Sequence, residues 1–484
     1  MKFFENRILS ISILLCVSFV LSGLIWGDEM QLLLASLAKS SLSNFGKFYL
    51  YLGFGAFVTI LVLALSPFGK RTLGKEKPTY SRFSWIAMLY STGMGTGLML
   101  RAVQEPVYYF LNPPNQSVDL AKETYALKYT FFHWGLTPWA FYALFGLFIA
   151  YFLYIKEKNI LSSSFLEGRF RKSWIIIIVD ILTVISTLVG VIASLGLGSK
   201  QLIGGFNYIS KSDFGLQSTI WAVVFIGICS TASAFLGVRN SIRRISNFNI
   251  LLALCLLAFV IFNRDFSAIF SNFFQSSIDY ITDFVPMSLN LGKHKVSHEF
   301  LTDWTYFYWA FWLAWAPFTG VFIARISKGR SIREFALGTL FIPSIATFLW
   351  FSAFGTSGIE IVNKMDIYDG SFDSIYSSLF IFLQSFPFAS ITVPLSLLLV
   401  FTFLITSMDS AILVLSYYTE SEDKKSQRVL WGVIIVLVTI SLILIGQDQL
   451  LVATSNLLVL IGLPFSILFT VMIANFLIKL FREK

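Results

Sequence analysis

Four stretches of this chain, residues 8–26, 174–195, 217–237 and 429–446, each approach or exceed the roughly 20 apolar residues a helix needs to cross a bilayer. Within hydrocarbon every backbone N–H and C=O must find a partner, which a helix supplies from its own chain. The remaining composition agrees: only 13% of residues are charged and 56% are hydrophobic, against about a quarter charged in soluble domains. The chain therefore reads as an all-α polytopic membrane protein. A net charge of +9 could point to nucleic acid, but the basic residues sit in short clusters between apolar runs, the pattern of cytoplasmic loops. Cys16, Cys229 and Cys255 all lie inside apolar runs and show neither metal nor disulfide spacing. Lys2 and Arg7 precede a first run without a clear small-residue cleavage site, so it reads as a retained helix rather than a signal peptide.

Hydropathy predicts twelve transmembrane helices, at 8–27, 48–67, 84–111, 131–155, 174–209, 217–237, 246–263, 302–327, 333–358, 388–417, 427–446 and 449–478. With these spans, 25 Lys and Arg residues fall on one side and nine on the other, and Arg101 and Lys200 lie within spans. The positive-inside rule then puts both termini in the cytoplasm, and a missed span would scramble the bias. Segment 265–300 alternates polar and apolar residues at helical spacing and is too polar to span; an amphipathic interfacial helix on the outer face fits it. Segment 28–45 reads as another such helix or as an ordinary packed surface helix.

Polar or broken features inside a membrane are costly and point to function. Ser91-Thr92-Gly93-Met94-Gly95-Thr96-Gly97 carries three alternating glycines, which weaken a helix and free carbonyls for a cation or room for a ligand; close helix packing through small residues is the other reading. His133-Trp134-Gly135-Leu136-Thr137-Pro138-Trp139 and the run from Trp304 to Trp315 are rich in tryptophan. Interfacial belts account for one or two aromatics at a helix end, but poorly for four tryptophans across three turns. Aromatic faces bind organic cations, and a quaternary ammonium, which has no N–H to donate, needs such a cage. Thr406-Ser407 could complete an oxygen-ligand cation site, although such hydroxyls more often bond back to their own helix. Asp409, if buried, needs a partner.

Taken in order, several segments resemble the betaine/choline/carnitine transporter (BCCT) family over about residues 75 to 420. They are Lys77-Pro78 through Phe83-Ser84-Trp85, the glycine stretch, Glu105-Pro106, His133-Trp134-Gly135 with Pro138-Trp139, and Ser194-Leu195-Gly196-Leu197-Gly198. Trp304 to Phe318, Phe322 to Ser327 with Gly329-Arg330 and Ile332 to Phe335, and Thr406-Ser407 with Asp409-Ser410 complete the series. The resemblance implies a five-plus-five inverted-repeat (LeuT-like) core. Residues 1–83 would hold two extra helices and a linker, 84–263 the first repeat, 264–301 a periplasmic amphipathic helix, and 302–484 the second repeat with a short cytoplasmic end. It also implies homotrimers, alternating access, and a bacterial inner (plasma) membrane location. The family's substrate cage falls on Trp134, Trp139, Tyr142 and Trp312, with Trp309, Phe311 and Trp315 nearby; Phe311 stands where tryptophan is common. Gly93, Met94, Gly95 and Thr96 would meet the substrate's carboxylate or hydroxyl end, and Ser194 joins the substrate set.

The main sodium site of coupled members maps onto Ser91 and Met94 carbonyls, the Phe403 carbonyl, and the Thr406 and Ser407 hydroxyls. A second proposed site maps onto Thr187, Val191, Tyr142 and Phe318, where valine offers no oxygen. Arg101 replaces a usual aromatic; Glu105 at i+4 is its nearest pairing candidate, a substrate-carboxylate contact or a displaced cation the alternatives. The long basic extension of osmosensing members is not expected after the last span. The reading is thus a secondary transporter, not an enzyme, importing glycine betaine or a related quaternary ammonium compound such as choline or carnitine, coupled to sodium and needing no other cofactor. Sodium-independent exchange and proton-coupled choline transport are the rivals within the family. A receptor would usually append a signalling domain and a channel needs a continuous pore; neither is suggested, and the three histidines have no catalytic spacing.

Overall fold

The computed structural model describes residues 6–93, 95–115, 120–167, 172–236, 239–419 and 424–482; of 91–93, 239–243 and 424 it describes the backbone only. The described residues form helices and their connections, with one isolated antiparallel bridge between Thr72 and Ser331. Among the described residues ten helical stretches are long and apolar enough to cross a membrane, so this is a multi-pass membrane protein.

α1 (Arg7–Ile25) starts at Asn6, whose side chain accepts the Ile8 and Leu9 amides. After a reversal at Trp26, α2 (Gly27–Leu65) runs unbroken for 39 residues. Segment 28–45 is therefore no separate helix: Asp28 and Glu29 suit the positive helix end, and the same helix continues into the apolar run. At 1.5 Å per residue it is about 58 Å long, nearly twice the hydrocarbon core. The predicted span at 84–111 is not continuous. It comprises α3 (Arg82–Gly93), α4 (Thr96–Arg101) and α5 (Gln104–Leu111). The fourth span starts earlier than its expected 131, as α6 (Lys122–Trp134) followed by α7 (Leu136–Ala150). Its tryptophans thus lie midway along a 34-residue stretch. Both side chains are buried in the bundle, unlike lipid-facing belt tryptophans.

α8 (Ser173–Ser210) and α9 (Gly215–Leu236) follow as expected, and α10 (Arg239–Phe262) begins ahead of its expected 246. α11 (Phe266–Thr282), capped by Asp265, buries Ile269, Ser276 and Tyr280 against the bundle and leaves Phe266, Phe274, Ile278 and Ile281 exposed. α12 (Phe284–Ser288) and α13 (His298–Phe300) lead through a wide turn at Leu301–Tyr306 into α14 (Phe307–Ile326). α15 (Ile332–Asn363), α16 (Ser378–Gln384), α17 (Ala389–Tyr418), α18 (Lys424–Gly446) and α19 (Leu450–Arg482) complete the chain.

All fifteen residues of α7 are buried, as expected of a helix that is apolar all round. It lies along α14, with α2, α15 and α19 packed around it. The two helices cross at Gly146 and Gly320: a Cβ on Gly146 would stand 3.0 Å from the Gly320 carbonyl oxygen, and one on Gly320 2.9 Å from the Gly146 nitrogen. Only glycines let the backbones touch there. Loops that charge patterning assigned to one side do meet. Leu73 N–H donates to the Arg330 carbonyl at 2.8 Å and Lys328 pairs with Glu76 at 2.8 Å. Lys158 and Lys479 both pair with Glu167 at 2.8 Å.

Candidate functional site

Gly135 breaks the fourth span. A Cβ at that position would fall 2.6 Å from both the Phe131 carbonyl oxygen and the Phe348 ring, so no other residue fits. The break frees backbone groups that must be satisfied in an apolar interior. Side chains from three other helices do so. Leu136 N–H donates to the Tyr280 hydroxyl of α11 at 3.2 Å. Trp312 Nε1 of α14 donates to the His133 carbonyl at 2.9 Å, and the Thr347 hydroxyl of α15 reaches the Trp134 carbonyl at 3.4 Å. Pro138, in the first turn of α7, has no N–H to leave orphaned.

Around this break the rings assemble edge to face. Trp134 meets Trp312 at 5.0 Å and 70°, Tyr142 meets Trp312 at 6.3 Å and 89°, and Trp139 meets Tyr142 at 5.3 Å and 87°. These four residues, the expected cage, are brought together and buried. Tyr308 joins them, stacked on Trp312 at 5.9 Å and edge-on to Trp134 at 5.6 Å. The sequence reading passed over it, although it stands one turn before Trp312 on the same face. Phe311 lies against Trp312 at 4.9 Å and Trp315 against Phe311 at 6.2 Å, with Trp315 Nε1 donating to the Gly190 carbonyl of α8 at 3.0 Å. Trp309 is turned away from the group, among Phe132, Phe141 and Gly53.

A buried polar group borders the rings. Glu105, fully buried in α5, accepts from Trp134 Nε1 at 3.1 Å and from the Tyr308 hydroxyl, both on Oε2. Its Oε1 has no hydrogen-bond partner and lies 3.7 Å from His133 Nδ1. His133 in turn is bonded to the Tyr109 hydroxyl at 2.9 Å and the Thr305 hydroxyl at 3.0 Å. Arg101 does not pair with Glu105 as its spacing suggested. α4 ends at Arg101 and α5 begins at Gln104. Arg101 donates instead to Gln104 Oε1 at 2.6 Å and lies over the Trp304 ring at 5.0 Å.

The glycine stretch leaves helical geometry at Gly95. α3 ends at Gly93, Gly95 is extended with φ −157°, and α4 begins at Thr96. A Cβ on Gly95 would have no neighbour within 4 Å, whereas one on Gly97 would meet the Trp134 ring at 3.0 Å. Thr96 is buried, and Ser194 is half-buried on α8. Met94 lies outside the described residues, and the Ser91 and Gly93 side-chain surroundings do too. On α17 the Thr406 hydroxyl bonds back to the Thr402 and Phe403 carbonyls, each at 3.1 Å, with Ser407 half-buried beside it. At the second mapped position the Thr187 hydroxyl bonds back to the Thr183 carbonyl at 2.8 Å; Val191 is buried and Phe318 packs on Trp315 at 5.2 Å.

Comparison with known proteins accords with this geometry. The BCCT profile, describing betaine/carnitine/choline family transporters, matches residues 7–484. A glycine betaine transporter of Bacillus subtilis is 37% identical over 98% of this chain and 94% of its own length. An ectoine/hydroxyectoine transporter of Virgibacillus pantothenticus is 35% identical over 90% of this chain and 88% of its own. A glycine betaine/proline/choline transporter of Vibrio parahaemolyticus is 34% identical over 96% and 88%. With its membrane-long helices and a ring-lined break at their centre, the chain belongs to the betaine/carnitine/choline transporter family, and is a transporter rather than an enzyme.

Proposed function

We propose that the chain imports glycine betaine or a close quaternary ammonium solute, such as choline or carnitine, by sodium-coupled alternating access. The observation that carries this reading is the group Trp134, Trp139, Tyr142 and Trp312, gathered around a backbone break within membrane-long helices. The polar edge of Trp134 is already bonded to Glu105 and that of Trp312 to the His133 carbonyl. What these indoles offer a ligand is therefore their faces, and a trimethylammonium is the group that binds faces without needing acceptors.

On this reading the chain has twelve spans, with α18 and α19 counted separately and α3 to α5 as one broken span. Paired contacts support the parity. His133 with Thr305, Trp134 with Tyr308, Tyr142 with Trp312 and Gly146 with Gly320 rise together along both chains. The fourth and eighth spans are thus parallel, as an odd number of spans between them requires. On this reading the repeats are 84–263 and 302–484, the termini are cytoplasmic in a bacterial inner membrane, and the assembly is the trimer that the family resemblance implies. Sodium would use the Phe403 carbonyl with the Thr406 and Ser407 hydroxyls, which one turn of α17 carries together, and would favour the outward-open state by binding it more tightly. Proteoliposome uptake of labelled betaine, choline, carnitine and ectoine, with and without a sodium gradient, tests the whole reading. Saturable, sodium-dependent betaine uptake is expected. Uptake indifferent to sodium would remove the coupling, and no uptake of any quaternary ammonium would remove the substrate class.

A further inference from the structure

Glu105 is the acidic group that touches the rings, and it does so in an unusual way. One oxygen, Oε2, takes the donors of two neighbouring aromatic side chains, the Trp134 indole N–H and the Tyr308 hydroxyl. The other oxygen is fully buried without a hydrogen bond. Among the described residues no lysine or arginine forms an ion pair with it; its near contact of that kind is His133, at 3.7 Å. Arg101, one turn earlier, is engaged with Gln104 and the Trp304 ring. A group satisfied only by neutral donors is a costly thing to bury, and removing it would leave two donors unpaired. The first turn of α5 does place the carboxylate at the positive end of a helix.

Both donors belong to rings that stand edge-on to one another around Trp312. A hydrogen bond to an anion shifts electron density from the N–H or O–H into the attached ring. The faces of Trp134 and Tyr308 become more negative, and a cation against either is held more strongly. The carboxylate also contributes its own charge to a low-dielectric interior. A neutral solute of the same shape gains from neither effect.

Resting on the reading that the rings receive a quaternary ammonium, we propose that Glu105 is a positioning and charge-tuning residue: its one carboxylate oxygen fixes Trp134 and Tyr308 and makes the cage select a cation over a neutral isostere.

The test uses the purified full chain and measures dissociation constants for choline, glycine betaine and 3,3-dimethylbutan-1-ol, the uncharged carbon isostere of choline. Glu105→Gln keeps an acceptor for both donors and removes the charge. Choline affinity is expected to fall about tenfold, with betaine following and the neutral alcohol changed less than about twofold. Tyr308→Phe, which leaves the carboxylate in place but unhooks one ring, serves if Glu105→Gln does not fold; it should weaken choline by about threefold and spare the alcohol. Equal losses for choline and the alcohol in the tested variant would reduce Glu105 to a structural support and overturn the proposal. So would no change in either. A wild-type chain that binds no quaternary ammonium at all would instead remove the substrate reading on which the proposal rests.

Discussion

The two ends of the paired helices α6–α7 and α14 are built on opposite plans. Before Gly135 the pair is interrupted and polar inside: His133, Glu105, Thr305 and Tyr109 are buried and linked, and the backbone break is closed by side chains from α11, α14 and α15. Beyond Trp139 and Tyr142, the cage residues it carries, α7 holds only apolar side chains. Gly146 and Gly320 bring the backbones into contact, and Phe145 lies among Phe148, Phe465 and Phe469. On the proposed function the first end binds and the second end holds. Side-chain bonds across a break can be exchanged one at a time as a helix shifts, whereas a glycine crossing has no slack.

Replacing Trp312 should separate the two ends most sharply. Trp312→Leu removes a ring and the donor to the His133 carbonyl. Betaine affinity should fall by about 30-fold or more, the worth of a desolvated cation–π contact, while the protein stays monodisperse in detergent. Normal affinity in that variant would remove the cage from the account. At the other end Gly320→Ala should lower thermal stability, by about 1–3 kcal/mol of overpacking, because its Cβ would meet the Gly146 backbone nitrogen at 2.9 Å. Gly95→Ala is the matched control: its Cβ meets nothing within 4 Å, so a thermal melt should not move. If both glycine variants melt alike, the contrast between the ends fails.

Smaller effects test how the break is stitched. Tyr280→Phe leaves the Leu136 amide without its acceptor; a stability loss of about 1 kcal/mol is expected, with reduced uptake read from the same preparation. The smallest effect concerns the loop beyond it. His294 lies 3.2 Å from Asp283, whose carboxylate is already held by Lys128 at 2.6 Å. Burial lowers the His294 pKa below 6.5, with the Lys128 and Lys293 charges adding and Asp283 opposing. A folded-state value below the unfolded one means stability is fully present above that range and declines as pH falls beneath it. Melting temperature should drop by roughly 1–2 °C between pH 7 and 5, and less in His294→Asn. An equal drop in both would place the titration elsewhere.

Much of the bundle was legible because long apolar runs have few folds in a bilayer. The runs at 174–209, 217–237 and 388–417 match helices to within one or two residues. Boundaries failed where polarity and membrane depth part company. Lys128 reads as a loop residue, yet its ammonium is buried against Asp283, and α6 continues through it. Glycine spacing offered unwinding near Gly95 as one of two readings, while nothing local marks Ala102–Val103, and Arg101 bonds Gln104 rather than the expected Glu105. The four cage positions were legible as aromatics of two tryptophan-rich stretches, and the family resemblance singled them out. Tyr308 and Glu105 were not, since their role rests on contacts between spans that periodicity along one span cannot reveal.

The central claim is that aromatic faces, rather than aromatic bulk, receive the substrate's cation. Progressive fluorination of the tryptophan at 312 changes the ring's quadrupole with little change in its size. The dissociation constant of glycine betaine should rise stepwise with each added fluorine, with the logarithm tracking the loss of cation affinity. A constant unaffected by fluorination would contradict the account.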